Sequence, residues 1–471
     1  MKIAGLDIGT SSCKLSIFAE NGEPLSSFSF KYDIQRNLSE HEIDANVLKD
    51  AVFNVLKEAD KQYNDINGLG ITSFGETFVL LDNDDKVLCN SILYTDNRGK
   101  EQLNLLIAKL GEKSIKDITG LYPHEMYSIS KLMWIKENNP EVFAKVKKIL
   151  LIEDYVAYLL TGIRQISYSL ASRTMCFDIN NFTWSLEILK IAGIEADLFS
   201  KPVQTGTKVG FIKLPFLKNT EVVSVGHDQI AAIIGTGANQ VGDTVDGGGS
   251  VQCFSYIVDK KTKDSYDFGK YCFTPFLVPD TYVLFVFIYA GGALLKWCSQ
   301  IVSKSFVELE SEIKPSGLLI LPHILGAGTP YMNIEAKGAI LGLTSNTTEK
   351  DIYQGCLEGI AYELKLNEEI LNKNKVYSKK ILATGGANSL MFLKIKSKIL
   401  KRSFVRYENK DVGTIGCIMS VGMALNIFKS YEEACQKLIK VKDVVSCFDD
   451  KKEYLSYYKK YKKVYQRIKD I

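Results

Sequence analysis

Two short stretches far apart in the chain share one order of residues. Asp7-Ile8-Gly9-Thr10-Ser11 and Asp246-Gly247-Gly248-Gly249-Ser250 both read Asp, any residue, Gly, any residue, Ser. Each lies between two apolar segments of strand character, so each reads as a β-hairpin with a polar turn. A repeat of this kind predicts two similar domains, each opening on such a hairpin, and we place them at 1–240 and 241–471. A length of 471 residues with 46% hydrophobic content can fill two large cores. Glycine lets the backbone close on a ligand, and hydroxyls beside backbone N–H groups suit phosphate oxygens. The repeat therefore predicts two hairpin units facing one another with a phosphate between their turns.

In the first half, Lys2 to Ile8 and Lys14 to Glu20 read as strands around the turn, and Asn21-Gly22 leads to a third strand, Pro24 to Tyr32. Thr10, Ser11 and Ser12 offer three successive hydroxyls, and Lys14 adds a positive charge. Asp7, at a strand end, is suited to hold Mg²⁺ through water, because that ion keeps much of its hydration. A polar hairpin turn would look similar. Asp44 to Tyr63 follows as an amphipathic helix with Leu48, Val52, Val55 and Ala59 on one face. Gly68 to Thr72 then reads as a strand delivering Ser73-Phe74-Gly75-Glu76-Thr77 to a sheet edge. A second polar cluster, Tyr94-Thr95-Asp96-Asn97-Arg98, falls where another strand should end. Polar clusters at strand ends of an open α/β sheet mark a ligand crevice or are solvated loops; Glu76, Asp96 and Arg98 are the candidates. Leu121 to Leu160 reads as mostly helical, with Tyr127, Lys131 and Trp134 on one face. Ser167 to Trp184 reads as mixed loop and strand.

Val222 to Gly237 (VVSVGHDQIAAIIGTG) reads as a strand, a glycine bend and a short buried helix. Asp228 stands at the junction, where the positive end of the helix favours its ionised form. Such a carboxylate serves either as a fixed general base or as a helix cap.

In the second half, Gly291 and Gly292 open a helix carrying Lys296 and Trp297, after the apolar run Tyr282 to Leu295. That run of fourteen residues is shorter than the ~20 that cross a bilayer. Lys379 to Thr384 reads as a strand ending in Gly385-Gly386-Ala387-Asn388-Ser389, with a helix on to about Leu400. A glycine pair there serves a ligand lying against the backbone or close helix packing. Leu321 to Leu343 reads as a connecting segment and Glu349 to Asn372 as a long helix. The net charge of +3 gives no argument for nucleic acid. Residues 451–471 hold eight Lys or Arg against two acids, with Tyr454, Tyr458, Tyr461, Tyr465 and Ile468 at helical spacing. This is a helix docked on the body, or less simply one that meets a membrane or acidic partner. Ten cysteines without Cys-x-x-Cys spacing read as small core residues of a reducing, cytoplasmic compartment. Met1 runs directly into a strand pattern, with no leader expected.

The ordered set DIGTSSCK, SFGET, YTDNR, SLASRTMCFDI, GHD, GGALLKW, Ala339 to Leu343 and GGANS resembles the FGGY carbohydrate kinases over roughly Ile3 to Leu425. The resemblance implies an α/β fold of two ribonuclease-H-like domains, as in the actin/hexokinase/Hsp70 ATPase superfamily, with a cleft between them. It implies transfer of the ATP γ-phosphoryl group to a small sugar, ketose, polyol or aldonate, with Mg²⁺ as cofactor. By position, Asp228 matches the catalytic base, Asp7 the Mg²⁺ carboxylate, and Thr10, Ser11 and Ser12 the first phosphate loop. Gly248, Gly249 and Ser250 match the second. Gly292, Lys296, Gly385, Gly386 and Asn388 match positions that contact adenosine, and Glu76 and Arg98 fall on the substrate side. The family usually has Thr at Gly249 and Glu-Arg at Ala327-Gly328, which keeps open a catalytically impaired sugar and ATP sensor. A homodimer is in keeping with the family.

Overall fold

The structure, a computed structural model, describes residues 1–36, 40–310, 313–409, 411–446 and 453–469. These divide into two compact units, the first of residues 1–237, 273–280 and 411–439, the second of 238–272, 281–410 and 440–471. The division differs from a single boundary at 240/241, because two later segments return to the first unit.

The first unit is built on a six-stranded sheet of β1 (Lys2–Ile8), β2 (Ser12–Ala19), β3 (Pro24–Lys31), β4 (Ile66–Ser73), β5 (Thr207–Phe211) and β6 (Glu221–His227). The order is β5-β6-β4-β1-β2-β3. The hairpin strands β1, β2 and β3 are antiparallel, whereas β1, β4 and β6 run parallel. Parallel strands are covered on both faces and so read as near-continuous apolar runs, as in Ile3, Leu6, Ile71 and Val223, all buried. The Ala45–Gln62 helix lays Leu48, Val52, Val55, Leu56 and Ala59 on one face. Its first turn is capped by Asp44, whose side chain accepts from the Asn46 N–H at 2.8 Å.

The other face explains why the unit is discontinuous. Gly5, Gly68 and Gly70 leave a strip without side chains, and the Val412–Ala424 helix lies in it: a Cβ on Gly5 would come within 2.8 Å of the Thr414 carbonyl oxygen, and one on Gly70 within 2.9 Å of that of Cys417. The same helix crosses the Asp228–Gly235 helix at glycines on both sides. A Cβ on Gly235 would lie 1.8 Å from the Val412 carbonyl oxygen, and one on Gly416 1.9 Å from that of Ala231.

In the second unit six neighbouring strands of the main sheet are β7 (Asp243–Gly248), β8 (Gln252–Asp259), β9 (Thr281–Ile288), β10 (Lys380–Thr384), β11 (Phe404–Tyr407) and β12 (Val441–Val445), in the order β9-β8-β7-β10-β11-β12. Again three antiparallel strands meet two parallel ones, with an antiparallel strand at the far edge. The sheet order of the first unit is thus repeated, and the two motif aspartates take matching places: Asp7 is in register with Thr72 of β4, and Asp246 with Ala383 of β10.

Three local expectations change. Ser167 to Trp184 contains a helical turn, Tyr168–Ala171, capped by the Ser167 hydroxyl, before a small hairpin of Phe177–Asp178 and Thr183–Trp184. The Tyr94 to Arg98 cluster follows the two-residue strand Ser91–Ile92 of a small side sheet rather than a strand of the main sheet. The basic tail forms two helices, Glu453–Tyr461 and Val464–Ile468, not one. Tyr454, Tyr458, Tyr461 and Tyr465 are buried, the Tyr461 hydroxyl donates to Glu363, and the Tyr465 ring stacks on Tyr331 at 3.9 Å. Residues 451–452 and 470–471 of that tail lie outside the described residues. Cys13, Cys176, Cys272, Cys298, Cys356 and Cys417 are buried. Among the described residues no helix is long and apolar enough to cross a membrane.

Gly416→Val places branched carbon where the Ala231 carbonyl stands, so one helix must move. Overpacking of this kind costs about 1–3 kcal/mol or more, and a lowered thermal midpoint is expected. An unchanged midpoint would contradict the close crossing.

Candidate active site

The strand β6 bends near its end at Gly226, whose φ of 102° lies in the left-handed region. No side chain fits there, since a Cβ would meet the Ser167 hydroxyl at 1.9 Å and that of Ser169 at 2.3 Å. The bend is held from both sides: Thr72 donates its hydroxyl to the Gly226 carbonyl at 2.7 Å, and the His227 N–H donates to Ser169 Oγ at 3.2 Å. Asp228 is the first residue of the following helix. The cap position belongs to His227, which makes no side-chain cap bond, so the helix-cap reading of Asp228 loses its support. Solvent reaches 40% of the Asp228 side chain, leaving room for a ligand hydroxyl.

Three groups surround that carboxylate. His227 Nε2 lies 3.3 Å from Asp228 Oδ1. Burial first and the Arg173 guanidinium second hold the His227 imidazole well below its ordinary pKa, so it is neutral. Glu76, buried and at φ 64°, sits in a conformation that non-glycine residues rarely adopt. Arg173 directs Nε, at 2.7 Å, and Nη2 onto the same Glu76 oxygen, and its guanidinium lies 5.1 Å from the Tyr127 ring centroid. The Ser128 hydroxyl fixes the Glu76 carbonyl at 2.5 Å. Although part of its surface is open, Asp228 is closely surrounded by protein, and that desolvation, then the like charges of Asp7 and Glu76, pushes it up to about 7; the Gln229 N–H and Arg173 oppose the rise. A carboxylate so poised changes protonation state close to neutral pH.

Asp7 lies beside the returning segment. The Gly413 backbone packs against it, so that a Cβ there would be 3.2 Å from Asp7 Oδ2, and Asp411 caps that helix by accepting from the Thr414 N–H at 3.2 Å. Lys14 pairs with Asp411. Burial and the Asp411 charge push Asp7 up to about 6, against the pull of Lys14. The Thr10 to Ser12 turn between them is closed by the Gly9 N–H donating to the Ser12 carbonyl at 2.9 Å.

Asp96 and Arg98 turn towards each other. Arg98 bonds Asp96 through Nε at 3.0 Å and Nη2 at 2.7 Å, and Nη2 also reaches Glu42 at 2.8 Å. Asp96 further accepts from the His41 N–H at 2.8 Å. Two carboxylates therefore balance the Arg98 charge. The buried Lys131 ammonium donates to the Asp96 and Glu125 carbonyls at 2.9 and 2.7 Å, and burial brings its pKa down to about 8.

In the second unit, three glycine turns meet. The Gly292 N–H donates to the Gly249 carbonyl at 2.8 Å, the Ala293 N–H to that of Ser250 at 3.1 Å, and the Ala387 N–H to that of Gly248 at 2.9 Å. Gly385 approaches Gly248 so closely that a Cβ on Gly385 would be 2.3 Å from the Gly248 carbonyl oxygen, whereas around Gly386 a Cβ would meet nothing within 4 Å. Gly249, Ser250 and Lys296 are exposed. The Asn388 side chain is engaged with Lys396, Asp246 and Thr384.

The structure thus gathers Glu76 and Asp228 in the first unit, and Gly248, Gly249, Ser250, Gly292, Gly385, Gly386 and Asn388 in the second. Arg173, His227 and Asp411 escaped the sequence reading. Arg173 sits within a run of small and apolar residues, and a buried arginine there needs a carboxylate; that was the available signal. Arg173→Met leaves Glu76 buried and unpaired, an effect of about 3–5 kcal/mol. A lowered thermal midpoint is expected, with much of it regained in Glu76→Gln/Arg173→Met.

Residues 2–235 match the N-terminal domain and residues 249–425 the C-terminal domain of the FGGY family of carbohydrate kinases. The chain is 27% identical to the xylulose kinase of Bacillus subtilis (strain 168), covering 100% of this chain and 97% of that protein. It is 28% identical to the glycerol kinase of Thermococcus gammatolerans, over 94% and 92% of the two. In fold it is similar to the ligand-bound xylulose kinase from Lactobacillus acidophilus, with a TM-score of 0.90 at 24% identity over 99% and 98% of the two chains. The glycerol kinase of Plasmodium falciparum with ADP gives 0.90 at 23% identity, again over 99% and 98%. With both family domains matched in order over most of its length, the chain belongs to the FGGY family of carbohydrate kinases.

Proposed function

We propose that this kinase transfers the ATP γ-phosphoryl group to a hydroxyl of a small neutral sugar, ketose or polyol, with Asp228 as the general base. The observation that carries the reading is the Asp228 carboxylate, fixed at a strand-to-helix junction, open to solvent and pushed up to about 7. A base of that pKa accepts a hydroxyl proton without being idle as an acid at neutral pH. Glu76, held by Arg173, accepts further acceptor hydroxyls. A neutral acceptor is favoured over an aldonate because Asp96 and Glu42 already balance Arg98. Xylulose and glycerol, the substrates in the names of the relatives, both satisfy this.

The glycine turns of the second unit hold the nucleotide through backbone N–H groups, and the hydroxyls of Thr10, Ser11 and Ser12 offer donors to phosphate oxygens. Among the described residues no group of three or more His, Cys, Asp or Glu forms a metal cage. Asp7 beside Asp411 nonetheless fits Mg²⁺, which takes one or two carboxylates and keeps its water, since Lys14 answers only one of the two negative charges. Asp7 would hold the ion with Asp411 nearby, and bound there it supplies neutralising charge to phosphate oxygens.

Asp228→Asn is expected to keep ADP binding and to lose acceptor-dependent ADP release by roughly 10²- to 10⁴-fold. A coupled ADP assay over ketoses, polyols and aldonates checks this, and full turnover by the variant would refute the base. Binding of sugar and ATP by the wild type without product would favour the impaired-sensor reading suggested by Gly249. In the wild type, kcat/KM for the acceptor should fall as pH drops through about 7, because protonation removes the base. Glu76→Gln removes one like charge, so that limb moves to lower pH.

A further inference from the structure

Beneath two of the glycine turns lies a buried ion pair that the nucleotide reading leaves unused. Asp246 stands on β7 just before the Gly247 to Ser250 turn, and Lys396 on the Leu390–Leu400 helix that follows the Gly385 to Ser389 turn. Lys396 Nζ lies 2.7 Å from Asp246 Oδ2 and 3.0 Å from Oδ1, and neither side chain has exposed surface. Both turns supply the remaining partners. Gln252, which opens β8 after the first turn, donates Nε2 to Asp246 Oδ1. Asn388, in the second turn, accepts from Lys396 Nζ at 2.6 Å and donates to the carbonyls of Asp246 at 3.0 Å and Thr384 at 2.8 Å. Gly248 lies against that amide, where a Cβ would come 2.6 Å from Asn388 Cγ, and its carbonyl accepts from the Ala387 N–H at 2.9 Å.

Stability alone does not account for this arrangement. Well-packed apolar residues of similar volume hold a core as well as a buried ion pair or better, because desolvating both charges is expensive. The pair adds direction instead. Three bonds from one ammonium specify where the Asn388 amide lies, and that amide with the Ala387 N–H specifies the orientation of the Gly248 peptide. Two apolar side chains would fill the same space without fixing either turn.

We propose that Asp246 and Lys396 are positioning residues for the nucleotide, setting the Gly247 to Ser250 and Gly385 to Asn388 turns at the spacing its phosphates and nucleoside require. The inference rests on the reading of these turns as nucleotide-binding. Neither residue touches substrate; each acts through Asn388 and the Gly248 peptide. Their loss weakens nucleotide binding and leaves acceptor binding as it was.

The test uses the full-length protein, with ADP and Mg²⁺ titrated by calorimetry beside a thermal melt. Lys396→Met leaves Asp246 unpaired and lowers both the midpoint and the ADP affinity. Asp246→Leu/Lys396→Met removes both charges, and its midpoint returns to near the wild-type value while ADP still binds about tenfold more weakly, equivalent to ~1.4 kcal/mol. Recovery of midpoint and affinity together shows a merely structural pair and overturns the proposal. Wild-type protein that binds no ADP overturns the nucleotide reading itself, a result separate from the first. Should the double variant fail to fold, Gln252→Met removes one donor to Asp246 and keeps the charges paired. A several-fold weaker ADP affinity at an unchanged midpoint supports positioning, and unaltered affinity rejects it.

Discussion

The crossing of the Asp228–Gly235 and Val412–Ala424 helices is the contact on which the first unit depends. It is close enough for backbone to touch backbone, because Gly235 and Gly416 present no side chain where the Val412 and Ala231 carbonyls approach. Dispersion at that distance is strong, and interiors so packed tolerate no added volume. The same crossing has a chemical effect. It brings Asp411 and the Gly413 backbone to Asp7, and it supports from below the helix whose first residue is Asp228. One packing decision therefore places three acids in a single electrostatic neighbourhood, where burial and mutual repulsion raise Asp7 and Asp228 together.

The local grammar of the chain was readable in advance because it is written in short-range chemistry. The Asp-x-Gly-x-Ser echo became the same hairpin in two sheets of the same strand order, since turn residues and period-two alternation act within a few positions. The Gly226 bend and its helix were legible for the same reason. Partnerships across the chain were not. Arg173 and Glu76 are 97 positions apart, and no periodicity links them. Arg98 and Asp96 form polar clusters in the sequence whether they bind a ligand or each other, and only the fold shows that Arg98 also reaches Glu42. The domain boundary was hidden in the spacing of Gly5, Gly68 and Gly70, three small residues that make sense only once a helix lies across them.

The two units handle buried charge differently. In the first, the acids at the strand ends are incompletely balanced, and that imbalance adds to burial in raising Asp228 to about 7. In the second, Asp246 occupies the place in register that Asp7 has in the first, yet it is fully enclosed and answered by Lys396. A duplicated sheet thus carries an acid at the same register place in both units, close to a second carboxylate in one and enclosed against an ammonium in the other.

The interrupted course of the first unit bears on how the protein is made. Its sheet emerges early from the ribosome, but the strip marked by Gly5, Gly68 and Gly70 stays bare until residues 411–439 follow, with nearly all of the second unit translated in between. The portion begun first is completed only after most of the other has been made. Nascent chains at that stage expose an apolar β surface to chaperones, and a polypeptide released before residue 411 has nothing to cover it with.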